Sequence, residues 1–141
     1  MNIEMKVRVG DLKGKMQLKG TGHTGHEVQI DYMPPYGEDN GFTPLELLMV
    51  SLAGCSGQTI QLLLKKMGKT LDQIEVIANG TRRMDKHPTV ITDIDLQFNL
   101  KGDKLDDPSV ENAIKMSENE FSPIWAMLKN NIAISWSYSL I

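Results

Sequence analysis

Thr43-Pro44-Leu45-Glu46-Leu47-Leu48-Met49-Val50-Ser51-Leu52-Ala53-Gly54-Cys55-Ser56-Gly57, running on to Lys65-Lys66-Met67-Gly68, is the longest stretch of the chain that carries one structural signal. Thr43 suits the N-cap of a helix, Pro44 its first turn, and Glu46 the third helical position, where its carboxylate can reach back to the cap. Lys65 and Lys66 complement the negative end of a helix, and Gly68 provides a stop. Between these ends Leu45, Leu48, Leu52, Cys55, Thr59 and Leu62 follow a 3-4 spacing, while Leu47, Met49, Val50, Ala53 and Ile60 cover the other faces. A helix apolar nearly all round is predicted to be a core helix wrapped by other elements. Gly54 and Gly57 cost such a helix about 1 kcal/mol each relative to alanine, so they mark a close approach of another backbone. The same helix of a second copy is one candidate.

Working outward, Ile3–Val9 and Lys15–Lys19 are expected strands joined by a turn at Gly10–Gly14. His26–Tyr32 alternates Val28, Ile30 and Tyr32 against Glu27, Gln29 and Asp31, a half-buried strand, and the Pro- and Gly-rich segment 34–42 is a loop. Beyond the helix, Ile74–Met84 and Val90–Leu100 are strands separated by the turn Asp85-Lys86-His87-Pro88. A second helix starts at Asp107-Pro108 and runs to about Asn119; a short third starts at Ser122-Pro123 and ends near Asn130. Ile132, Ile134, Trp136, Tyr138 and Leu140 then alternate with Ala133 and three serines in a last strand. The fold class is α+β: antiparallel sheets around a long buried central helix, in a single domain spanning residues 1–141.

Composition narrows the function. Lys plus Arg number 15 against 18 for Asp plus Glu, a net charge of −3, and the only arginines are Arg8, Arg82 and Arg83. A nucleic-acid binder needs a clustered basic face, so nucleic acid is not expected as a partner. The first ten residues alternate charged and apolar side chains, unlike a signal peptide, and no apolar run approaches the ~20 residues of a membrane span. One cysteine permits neither an intrachain disulfide nor a thiolate-rich zinc site, and it suits a reducing, cytoplasmic compartment.

Cys55 is the one side chain with obvious nucleophilic chemistry. By residue pattern alone it reads first as a small core residue, because a reactive thiol needs help to ionise. It lies about three turns into the helix, too far for the helix dipole to provide that help. Glu46, nine residues earlier, faces the opposite side and is explained by its cap. Ser122 is likewise explained as an N-cap. Gly20-Thr21-Gly22-His23-Thr24-Gly25 matches a phosphate-loop pattern by letter, but no helix follows it and a hairpin turn accounts for it. His23 and His26 lack helical spacing for a metal site, and no cofactor or metal is expected.

Together, Gly25-His26-Glu27-Val28 through Asp31, the Gly37-Glu38-Asp39 loop, Thr43-Pro44-Leu45-Glu46-Leu47-Leu48 leading to Gly54-Cys55, and His87-Pro88 resemble the OsmC/Ohr family, osmotically inducible and organic-hydroperoxide-resistance proteins. The likeness covers about residues 15–140 and is nearer the OsmC-like branch. It implies an intertwined homodimer, with two central helices sandwiched by sheets from both chains and active sites at the interface. It also implies peroxide reduction by two cysteines: the first is oxidised to a sulfenic acid and the second condenses with it. Cys55 matches the first. Ser122-Pro123-Ile124 stands where the second is expected, and a hydroxyl cannot form a disulfide. The reactive branch carries a catalytic Glu directly after the motif proline, where this chain has Leu45, with Glu46 one place later. That branch also has an arginine in its N-terminal hairpin, where only Lys13 and Lys15 are near. The expected function is therefore thiol-dependent reduction of organic hydroperoxides through Cys55, an external thiol acting as resolver and Ser122 hydrogen-bonding the sulfur across the dimer interface. The alternative is a non-catalytic dimer that holds a small apolar ligand between its subunits.

Overall fold

Residues 1–9 and 14–141 are described by a computed structural model, Val9 by its backbone alone. Lys13 and most of the turn expected at Gly10–Gly14 lie outside these residues. The chain divides into two compact units, Met1–Leu48 and Met49–Ile141.

The first unit is an antiparallel meander of β1 (Met5–Val9), β2 (Leu18–Gly22) and β3 (Glu27–Ile30). Met5 pairs with Gly22 and Arg8 with Lys19; Leu18 pairs with Ile30. Alternation puts Met5, Val7, Leu18 and Val28 on one face and Lys6, Arg8, Lys19 and Thr21 on the other. The phosphate-loop look-alike is the β2–β3 turn, with Gly25 at φ 82°. Asp31, 2% exposed, holds the following loop by accepting N–H bonds from Tyr32, Glu38 and Asn40 at 2.8, 3.2 and 3.0 Å. Burial pushes its carboxyl up, but those amides outweigh burial and hold it below the usual carboxylate range.

Helix α1 covers Pro44–Lys66. In the second unit Gly57 of α1 lies against Val76, and Met49 against Gly80, on β4 (Thr70–Arg82), which forms a long antiparallel hairpin with β5 (Ile91–Asp103). Arg82 and Arg83 fasten the hairpin turn, donating to the Thr89 and Pro88 carbonyls at 2.8 and 2.9 Å. The chain then passes through α2 (Asp107–Met116), a π-helical turn Ser117–Phe121, and α3 (Pro123–Leu128) to β6 (Ala133–Leu140). Ile94, Leu96, Phe98 and Leu100 of β5 are buried with Leu52, Ile60, Leu64, Val110, Ile114 and Trp125. Each such side chain contributes about 1.5–3 kcal/mol. Phe98 stacks on Trp125 at 6.5 Å, and Tyr138 ties β6 to α2 by bonding Asp107 and Glu111 at 2.8 and 3.1 Å.

Several expectations need correction. The sheets are not all antiparallel: β6 pairs with β5 in parallel, Asp93 beside Ala133 and Leu100 beside Leu140. The helical crossover between them returns the chain to the end of the sheet from which β5 started, as parallel pairing requires. The second helix stops at Met116, where the π-helical turn replaces its last turn.

The helix expected to be buried all round is buried on one face only. Leu52, Ser56, Ile60, Leu63 and Leu64 are covered, whereas Val50 and Leu62 are each 53% exposed. In length and apolarity α1 reaches the measure of a membrane span, which the sequence reading did not expect, but its covered face is that of a core helix. The two glycines also separate. A Cβ at Gly57 would approach Val76 Cγ2 to 3.2 Å, so β4 explains that glycine; a Cβ at Gly54 would meet nothing within 4 Å. Val50, Ala53, Gly54, Gln58, Gln61 and Ile74 line an open groove of about 410 Å³ on this uncovered side.

Candidate active site

The site begins with the local reasons that place two side chains. Cys55 lies on α1, one position before buried Ser56, and is itself only partly covered. Its carbonyl accepts the Thr59 hydroxyl at 2.7 Å, an i−4 bond within the helix. Ser122 ends the π-helical turn, its N–H bonding the Ser117 carbonyl at 2.9 Å. The extra residue in that turn, followed by Pro123 at the first position of α3, leaves Ser122 extended (φ −83°, ψ 107°) and its side chain turned inward.

The Ser122 hydroxyl makes two contacts. Its oxygen accepts the Trp125 N–H at 3.4 Å, the N-cap bond the sequence predicts, and its proton is donated to Cys55 Sγ at 3.3 Å. The second contact joins residues 67 apart, within one chain. The expectation of a bond across a dimer interface is thereby corrected: the crossover through α2 and α3 brings Ser122 back to its own α1. Ser122 is 2% exposed, so the hydroxyl has little water to compete with these partners.

Three further polar atoms belong to residues next to this pair in the chain or bonded to it through the backbone. Ser56 Oγ, Ser117 Oγ and Trp125 Nε1 are buried and have no hydrogen-bond partner among the described residues. Each belongs to a residue joined directly to the pair: Ser56 follows Cys55, the Ser117 carbonyl holds Ser122, and the Trp125 amide caps onto it. Buried polar atoms left unpaired are rare and costly, and all three fall in the segments that carry Cys55 and Ser122. All three are illegible in the sequence, because a serine or tryptophan pattern does not reveal which polar atoms lose their solvent.

Glu46 is not part of this group. It forms the predicted capping box, accepting the Thr43 N–H at 2.9 Å while its own N–H bonds Thr43 Oγ1 at 3.3 Å. His23 and His26 lie in the β2–β3 connection, and His87 in the β4–β5 turn; no three potential metal-ligating side chains cluster among the described residues.

Similarity to known proteins runs the length of the chain. Residues 37–137 match the family described as OsmC-like protein. Protein YhfA of Escherichia coli K12 is 26% identical over 137 residues, covering 97% of this chain and 98% of YhfA. Among solved structures, an OsmC-like protein from Mycoplasma pneumoniae superposes with a TM-score of 0.84 at 16% identity, over 100% of this chain and 98% of that one. The organic hydroperoxide resistance protein OhrB of Bacillus subtilis gives 0.67 at 16% identity, over 99% and 98%.

Proposed function

Because the chain belongs to the OsmC-like protein family, we propose that it acts in the oxidative-stress response as a one-cysteine, thiol-dependent reductase of organic hydroperoxides. The observation that carries this reading is the Ser122 hydroxyl donated to Cys55 Sγ at 3.3 Å, at the position where the family's reactive members hold their second thiol. A relative in fold bears the name organic hydroperoxide resistance protein, which supports the choice of substrate class.

The chemistry runs in two stages. The Cys55 thiolate attacks the terminal peroxide oxygen, the O–O bond breaks, and the alkoxide leaves as an alcohol after taking a proton. Cys55 is then a sulfenic acid and the peroxide is reduced by two electrons. Ser122 has no thiol to offer, so an external thiol attacks the sulfenic sulfur, releasing water and forming a mixed disulfide. A second thiol attacks that disulfide and frees Cys55. Throughout, Ser122 orients the sulfur through its hydrogen bond.

The acting unit in this proposal is a homodimer in the reducing environment of the cytoplasm. The uncovered apolar side of α1, with Val50 and Leu62 each 53% exposed and Gly54 open, supports a second copy as its cover. The test compares wild type with Cys55→Ser in cumene hydroperoxide, with and without dithiothreitol or dihydrolipoamide, following peroxide loss and protein mass. Turnover by wild type alone, dependent on added thiol, is expected. A wild-type thiol inert both to peroxide and to alkylating reagents would overturn the proposal.

A further inference from the structure

The polar face of the β1–β2 ribbon carries a feature that the thiol chemistry does not use. Glu4, Lys6, Arg8, Thr21, Gly22 and His23 line a groove of about 350 Å³. Cross-strand register puts Arg8 directly opposite Lys19. Like charges so placed oppose pairing of the strands, and a sheet face that only needed solvation would alternate their signs. Two of the three cations on this face are partly neutralised: Lys6 lies 3.6 Å from Glu4, and Lys19 lies 3.5 Å from Glu27. No carboxylate among the described residues pairs with Arg8. The other two arginines of the chain are tied to backbone carbonyls of the β4–β5 turn. Arg8 is thus the arginine whose planar fork is left for a ligand.

We propose that this groove binds a phosphate group. Arg8 would engage two phosphate oxygens through its fork, which a lysine cannot do. Lys6 supplies a second positive charge and the Thr21 hydroxyl a further donor, while Glu4 keeps the net charge of the groove low and so favours a small ligand over a polyanion. The turn that carries His23 forms one end of the groove, so the glycine-rich segment 20–25 would contribute to a phosphate site without the helix that such a pattern normally introduces. Free inorganic phosphate and the terminal phosphate of a small ester share the chemistry, and size at the open end separates them.

With three arginines in the chain, the Nε–Hε region of a nitrogen–proton correlation spectrum reports on each one. Inorganic phosphate and phenyl phosphate are titrated separately into the full chain, with sodium chloride at matched ionic strength as the reference. A saturable shift of the Arg8 Nε–Hε signal and of the Thr21 and His23 amides is expected, with Arg82 and Arg83 unmoved. Tighter binding of phenyl phosphate identifies an ester as the ligand, and tighter binding of inorganic phosphate identifies the free anion. Arg8→Gln should weaken binding at least tenfold and Arg8→Lys by an intermediate factor, whereas Lys101→Gln should change it less than twofold. Shifts that track chloride, that spread equally over the three arginines, or that persist in Arg8→Gln would overturn the proposal. The wild-type titration is decisive even if a variant folds poorly.

Discussion

Ser122 serves two partners through one hydroxyl, and substitutions can separate the two roles. Ser122→Ala removes the N-cap of α3, at a cost of about 1 kcal/mol in urea unfolding. It also removes the donor that positions Cys55 Sγ, so thiol-dependent turnover of cumene hydroperoxide should fall, by up to about tenfold, as the sulfur loses the contact that orients it. A purely structural serine would give the first effect without the second. Ser122→Cys makes the converse test. The oxygen it replaces is 3.3 Å from Sγ, within the range that a small shift converts to a covalent S–S link. Brief peroxide treatment should leave this variant with no titratable thiol and restore both on reduction, and persistence of two free thiols would count against the geometry. At this scale the caps were legible: Thr43, Glu46 and Ser122 each do locally what their spacing predicts. The Cys55–Ser122 contact was not legible from periodicity, because spacing within an element carries no information about a neighbour 67 residues away. Only the family resemblance put the two positions together.

Among the elements, α2 makes the pH dependence explicit. Its N-cap, Asp106, bonds Lys69 at 2.8 Å and the Ser109 N–H at 2.9 Å. The Lys69 ammonium first, and the Ser109 donors second, lower the Asp106 carboxyl from 3.8 to about 2. A carboxyl depressed in the folded chain adds stability that is complete above its unfolded value and fades as pH falls through the folded one. Asp106→Asn keeps an acceptor but not the charge. It should be less stable than wild type at pH 7 by urea unfolding, and the gap should close between about pH 4 and pH 2. A gap constant across that window would mean that the ion pair contributes nothing. The ends of α2 illustrate how far a sequence reading reaches. Its start was visible in Asp107-Pro108, but the switch to a π-helical turn at Ser117 changes the number of residues per turn without changing their type. The alternation in β6 likewise announces a strand and is silent on its direction.

For the molecule as a whole, the uncovered side of α1 gives a test whose sign is informative. In an isolated chain Gly54→Ala should stabilise the helix by about 1 kcal/mol, since the added methyl meets nothing within 4 Å. If a second α1 crosses there, the same methyl should weaken the dimer at least tenfold in sedimentation equilibrium, and Leu62→Glu should do so more severely. Stabilisation without any change in association state would remove the dimer from the proposal. The parallel pairing of β6 has its own consequence, for the order in which the second unit folds. The β4–β5 hairpin closes through a short turn, but Ser135 meets Asp95 across 40 residues of sequence, and non-local pairings of this kind come late. Until α2 and α3 have docked and β6 has slid in beside β5, the serine that bonds the sulfur is not yet in place. A refolding chain should therefore pass through a period in which its hairpin is already protected from amide exchange while its thiol is still open to any oxidant in the cell.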